Sequence, residues 1–186
     1  MSKKFKFSID GTEFQLPISQ VQVDTYSDTP KEKYIHMNAK STASVIKQYI
    51  KKHYPTLKVW ATSSVYSGGS SVDINISKPN SPKVDKWIES DIDAFSNKLK
   101  NGTFNGMIDM YETREDSPTT DNGTPMKYFP SYVFVNNKPK WGSYEYWLNE
   151  FWYSGEKLSI DDFLSKNKTY MTDKEYSKVE LNLKSI

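Results

Sequence analysis

The feature that most constrains this sequence is a change of apolar period along residues 41–101, from helical to alternating and back to helical. Val45, Ile46, Tyr49, Ile50 and His53 share one face of a helix predicted over 42–54, with Ser41 as its expected N-cap and Pro55 as its stop. Leu57, Val59, Ala61 and Val65 then alternate over 57–65, and Val72, Ile74 and Ile76 over 71–77, the signature of two strands with one buried side each. Ser81-Pro82 pairs a cap with a first-turn proline. Behind it Val84, Trp87, Ile88, Ile92, Phe95 and Leu99 form the apolar stripe of a second helix that runs to Asn101-Gly102. Elements with a single apolar side each imply an antiparallel sheet carrying both helices on one face.

The flanks extend this pattern. Phe5, Phe7 and Ile9 alternate over 3–9, and Phe14, Leu16 and Ile18 over 12–18, on either side of Asp10-Gly11, which predicts a tight hairpin. Residues 24–38 read as a surface loop, Phe104 to Glu112 as a short apolar segment, 113–125 as a polar loop and 131–136 as a strand. Residues 143–153 read as a helix, 159–166 as a short one capped by Ser159, and 171–186 as an amphipathic or frayed tail. No repeat, linker or low-complexity tract marks a boundary, and 186 residues suffice for one core. The expectation is therefore one α+β domain over 1–186. Its antiparallel sheet joins the N-terminal hairpin, the central hairpin and a C-terminal strand, with helices mainly on one face.

Several function classes fall away on composition. Cysteine is absent, which removes disulfides, thiolate nucleophiles and zinc–thiolate sites. His36 and His53 stand in no metal motif and beside no obvious carboxylate, and Asp85, Glu89 and Asp93 recur at four-residue spacing as a solvated helical stripe. No catalytic residue, metal or cofactor is assigned, and the expectation is a protein that is not an enzyme; Asp73, Asp109 and Glu112 are the acids an enzyme would have to gather in space. Met1 to Phe7 alternates charged and apolar residues like a strand rather than a signal peptide. No run approaches the length of a membrane span, so the cytoplasm of a bacterial host is expected and no membrane partner.

Ten lysines stand against five acids in residues 1–58, and ten acids against six basic residues in 59–126. Arg114 is the sole arginine, and arginine is the side chain that reads guanine edges and phosphates bidentately. Weak lysine contact with a nucleic-acid backbone remains open, with Lys47, Lys51 and Lys52 of the first helix and Lys3, Lys4 and Lys6 of the first strand as the candidate patch. Tyr66-Ser67-Gly68-Gly69-Ser70 joins the central strands. It lacks the Lys-Ser/Thr ending and the following helix of a phosphate loop and reads as a turn whose glycine supplies positive φ. Aromatic residues make up 15 % of the chain and concentrate in 128–153. Tyr144, Trp147, Leu148 and Phe151 fill one helix face, which leaves Trp141, Tyr146, Trp152 and Tyr153 as candidate partner-binding residues or as a second core layer.

Three strings carry a resemblance: Val45 to Pro55, Lys58 to Ile74 with its Tyr-Ser-Gly-Gly-Ser-Ser run, and Phe104 to Asp109. Over about residues 41–112 the chain resembles a large-polyvalent-protein-associated domain, while the first hairpin and the aromatic-rich part at about 128–170 lie outside. The resemblance implies a protein of phages, plasmids or other mobile elements acting in counter-defence, and supplies no catalytic residue. The expected function is binding and inhibition of a bacterial defence effector, with an anti-CRISPR protein against a nuclease as the leading candidate. Its partner would be a host protein, itself able to hold nucleic acid. The alternative is a nucleic-acid-binding accessory protein that uses the lysine patch.

Overall fold

A computed structural model describes residues 3–23, 33–79, 83–105, 110–113, 118–137, 142, 144–153 and 158–185. Strands β1 (Lys4–Ile9) and β2 (Thr12–Pro17) pair antiparallel. Their turn residues Asp10 and Gly11 have φ of 50° and 72°, as two-residue hairpins require. The Asp121 carboxylate clasps this turn, accepting from the N–H groups of Asp10 and Gly11 at 2.9 Å each. Those bonds, that from Gly11 foremost, hold its carboxyl below the usual range.

Strands β3 (Val21–Val23) and β4 (Lys33–His36) pair antiparallel. The expected loop over 24–38 thus contains a strand, and its residues 24–32 lie outside the described residues. Helix α1 (Ala39–His53) starts earlier than expected, capped by Asn38, whose side chain accepts from the Ser41 N–H at 3.0 Å. Ser41, the expected cap, is buried inside the first turn and donates its hydroxyl to Gln20. Asn and Ser cap about equally well, so burial of Ser41 decides between them.

Strands β5 (Lys58–Tyr66) and β6 (Gly69–Ser77) form the central hairpin, turning at Ser67-Gly68 with Gly68 at φ 89°. Helix α2 (Lys86–Asn97) follows, with Asp85 at the N-cap position but its side chain making no capping bond; the expected start at Ser81-Pro82 lies outside the described residues. Strands β7 (Gly102–Asn105) and β8 (Met110–Thr113) make a further hairpin where only an apolar segment was expected. Strand β9 (Met126–Lys127) runs parallel to β4, and β10 (Tyr132–Asn136) parallel to β6.

The class is α+β, but the strands do not join one antiparallel sheet. Among the described residues they form four sheets, and the main one is mixed, ordered β10-β6-β5. The first hairpin is a layer of its own. Val72, Ile74 and Ile76 of the central β6 are fully buried against α1, which covers β5 and β6, and α2, which lies on β10. Phe7 and Phe14 of the hairpin complete this core: Phe14 stacks on Phe95 at 5.7 Å, and Phe95 on Tyr49 at 3.9 Å.

Trp87 corrects the expected stripe of α2. It is 66 % exposed, while Ile88, Ile92 and Phe95 are buried. One residue from Ile88 on a helix is about 100° around the axis, so Trp87 leaves the core and turns its ring edge toward Tyr54 at 6.0 Å.

A second hydrophobic cluster joins α3 (Tyr144–Tyr153), α4 (Ile160–Asn167) and α5 (Asp173–Leu183). Tyr144, Trp147 and Leu148 are buried there against Phe163, Leu164, Val179 and Leu183. The tail, expected to be amphipathic or frayed, is the amphipathic helix α5, opened by a capping box in which Thr172 and Glu175 satisfy each other's backbone N–H groups. No helix among the described residues is long and apolar enough to cross a membrane.

Candidate functional site

The face of the β10-β6-β5 sheet turned away from the helices is set by strand alternation. It carries Thr62, Ser64 and Tyr66 on β5, Ser71, Asp73 and Asn75 on β6, and Tyr132, Phe134 and Asn136 on β10. Tyr132 and Phe134 stack with rings 6.0 Å apart and 5° from parallel. Tyr111 of β8 meets Tyr132 edge-on at 5.4 Å and donates its hydroxyl to the Ser131 carbonyl at 2.5 Å. Burial, helped by the neighbouring Tyr132 and Tyr66, pushes the Tyr111 phenol up. Phe134 nonetheless remains 49 % exposed.

Tyr66 reaches this row over the central turn, where Gly69 makes room. A Cβ there would stand 2.8 Å from the Ser131 Oγ and 3.0 Å from the Tyr66 ring. The Tyr66-Ser67-Gly68-Gly69-Ser70 segment is therefore a hairpin tip: Gly68 supplies the positive φ, Gly69 the space, and Tyr66 the ring. Rings held on strands, with hydroxyl and amide groups between them, can bind a partner at little ordering cost. Nothing in the sequence marks Tyr111, Tyr132 and Phe134 as site residues. The alternation of β10 was the available signal, but it does not tell which side is covered.

The candidate lysines divide. Lys47 and Lys51 line a cleft of about 370 Å³ between α1 and β5, together with Lys40, which sequence reasoning did not single out. Lys52 points the other way, donating to the Glu13 carbonyl and sitting 5.9 Å over the Phe14 ring. Lys3, Lys4 and Lys6 are exposed on the first hairpin.

The candidate aromatic residues divide too. Trp152 is 48 % exposed, its ring edge-on to Phe151 at 5.1 Å. Tyr146 is half-buried against the second cluster, its ring edge-on to Trp147 at 5.0 Å. Tyr153 ends α3 with its side chain outside the described residues, and Trp141 lies outside them altogether.

A polar network that the sequence does not announce ties α1 to α2. The hydroxyls of Tyr49 and Tyr54 both donate to the Asp91 Oδ2, at 2.8 and 2.7 Å. Burial, then these bonds to the carboxylate, raise both phenols, that of Tyr54 to about 12. His53 pairs its Nε2 with the Thr12 hydroxyl at 3.1 Å, and His36 its Nδ1 with the Gln22 amide at 3.1 Å. The acids of the α2 stripe are individually engaged: Asp85 by Lys78, Glu89 by Asn137 and Asp93 by Asn97. Of the three acids an enzyme would have to gather, Asp73 is on the open face, Glu112 on β8, and Asp109 outside the described residues.

No curated protein and no solved structure gives a match to the chain. A family model does, over residues 37–141, a span that takes in α1, α2 and the whole β10-β6-β5 sheet and exceeds half of the chain. The open aromatic face and the lysine-lined cleft are thus both built by the segment that the family defines, and the chain belongs to the family described as large polyvalent protein associated domain 29.

Proposed function

We propose that this phage- or mobile-element-associated protein works by binding and inhibiting a bacterial defence effector, a CRISPR nuclease being the first candidate. The observation that carries the reading is the open sheet face, where Tyr66, Tyr132 and Phe134 stand in a row with hydroxyl and amide neighbours. Aromatic rings amid Ser, Thr and Asn are the composition of protein-recognising surfaces, and such surfaces place their energy in a few ring anchors. Trp152 is a further exposed anchor on α3.

Cleavage assays with guide-loaded CRISPR nucleases, paired with phage challenge of cells expressing the protein, test the reading. Inhibition should weaken about thirtyfold in Phe134→Ala, the equivalent of about 2 kcal/mol for one lost anchor. Undiminished cleavage across a panel of effectors, joined to no phage protection, defeats it.

The nucleic-acid reading draws on the convergence of Lys40, Lys47 and Lys51. Its signature is an affinity that falls steeply with salt as counterions are released. Gel shifts without a complex at about 50 mM salt remove it.

A further inference from the structure

Helix α1 lies between two strand edges, and it treats them differently. On one side it closes the edge of β2. The Gln48 side chain accepts from the Gln15 N–H and donates to the Gln15 carbonyl, both at 2.9 Å, as a neighbouring strand would, and Lys52 donates to the Glu13 carbonyl. On the other side lies β5, the nine-residue edge of the main sheet. From Val59 to Tyr66 its backbone groups that point away from β6 have no partner among the described residues. Proteins normally shorten, charge or cover such an edge, because it templates another strand.

The cleft beside this edge is shaped for a particular occupant. Its wall is the α1 face bearing Lys40, Ser44, Lys47 and Lys51, and its floor is Ala61 and Ser63 of β5. None of the three lysines has an acidic partner among the described residues. Val65, on the same side of β5 as Ala61 and Ser63, is 83 % exposed. Along the helix axis Lys40 and Lys47 are about 10 Å apart and Lys47 and Lys51 about 6 Å. Alternate side chains of an extended peptide repeat every 6.5 to 7 Å, roughly within reach of these flexible ammonium groups.

We infer that this cleft is a strand-addition site for an acidic, extended peptide segment of a protein partner. The segment would pair its backbone with the free edge of β5, place alternate carboxylates against Lys40, Lys47 and Lys51, and cover Val65 with an apolar side chain. A phosphate backbone would answer the lysines and leave the strand edge unpaired; a peptide satisfies both. The inference rests on the chain being a protein-binding module and not on the partner being a defence effector.

The test uses the intact protein and a fluorescent nine-residue peptide alternating Glu with Thr and ending in Val, read by polarisation. Two further peptides carry N-methyl groups on the odd or on the even residues, and a thymidine oligonucleotide is the competing probe. The expected result is saturable peptide binding that weakens at least about tenfold in Lys47→Glu/Lys51→Glu. It should also be abolished by N-methylation of one alternate set and spared by the other, because only one set of N–H groups faces β5. Equal binding of all three peptides would reduce the cleft to a charge patch and overturn strand addition. Binding of the oligonucleotide alone, or of no probe, overturns it as well. Absence of peptide binding by an intact protein that still inhibits the nuclease would overturn this inference while leaving the proposed function standing.

Discussion

Phe95 and Trp87 sit two turns apart on α2, and the fold assigns them opposite energetic roles. Phe95 is 4 % exposed and sandwiched between Phe14 and Tyr49. Removing its ring strips nearly all of a buried Phe surface of roughly 200 Å² and opens a cavity between two rings, so Phe95→Ala should destabilise by about 3 to 5 kcal/mol. Trp87, at 66 % exposure, keeps only about a third of its surface from water. A third of about 250 Å² at about 25 cal/mol per Å² gives at most about 2 kcal/mol, and about 1.2 to 1.9 once burial in the unfolded chain is allowed for. Urea unfolding followed by far-UV circular dichroism measures both without relying on the deleted indole. The midpoint should fall steeply for Phe95→Ala and slightly for Trp87→Ala at unchanged slope. Equal losses, or a larger loss at Trp87, would refute the assignment of α2's buried face.

Three other outcomes follow from contacts already described. Because burial and the Asp91 carboxylate hold the Tyr49 and Tyr54 phenols neutral, their contribution is complete below the ordinary value of 10; that of Tyr54 is lost as pH rises through about 12, and that of Tyr49 at still higher pH. Tyr49→Phe/Tyr54→Phe should flatten stability against pH in that alkaline window. The depressed Asp121 carboxyl contributes above its ordinary value of 3.8 and loses that contribution as pH falls through its lower folded value; Asp121→Asn should remove this step from an acid titration of the unfolding midpoint. Gly69→Ala forces a Cβ against the Ser131 Oγ and the Tyr66 ring and should destabilise by about 1 to 2 kcal/mol, with part regained in Gly69→Ala/Ser131→Ala as measured by thermal unfolding.

What could be read from the sequence was what repeats along it. The alternation of Val72, Ile74 and Ile76 and the helical spacing of Val45, Ile46 and Ile50 fix their elements and their buried sides. Asp10-Gly11 dictates its turn through backbone geometry alone. Strands such as Lys33–His36 and Met126–Lys127 are too short to show a period and owe their existence to partners distant in the chain. The parallel pairing of Tyr132–Asn136 with Gly69–Ser77 is likewise a tertiary choice. The site was legible in fragments. Lys47, Lys51, Tyr66 and Trp152 could be named, but the cleft and the ring row depend on which residues from separate strands and helices meet. Asp91 escaped notice because a lone aspartate says nothing of the two tyrosines that converge on it.

The stack of Phe14 on Phe95 also orders events on the ribosome. Phe95 follows Phe14 by 81 positions, so at about 5 to 20 residues per second the hairpin waits roughly 4 to 16 s for its partner. An isolated two-stranded hairpin is marginal in water, and during that wait Phe7 and Phe14 offer nascent chain surface to trigger factors and holdases. A stall or truncation before α2 leaves the Phe14 ring without its stacking partner. The hairpin is therefore made before α2 but completes its packing only with it.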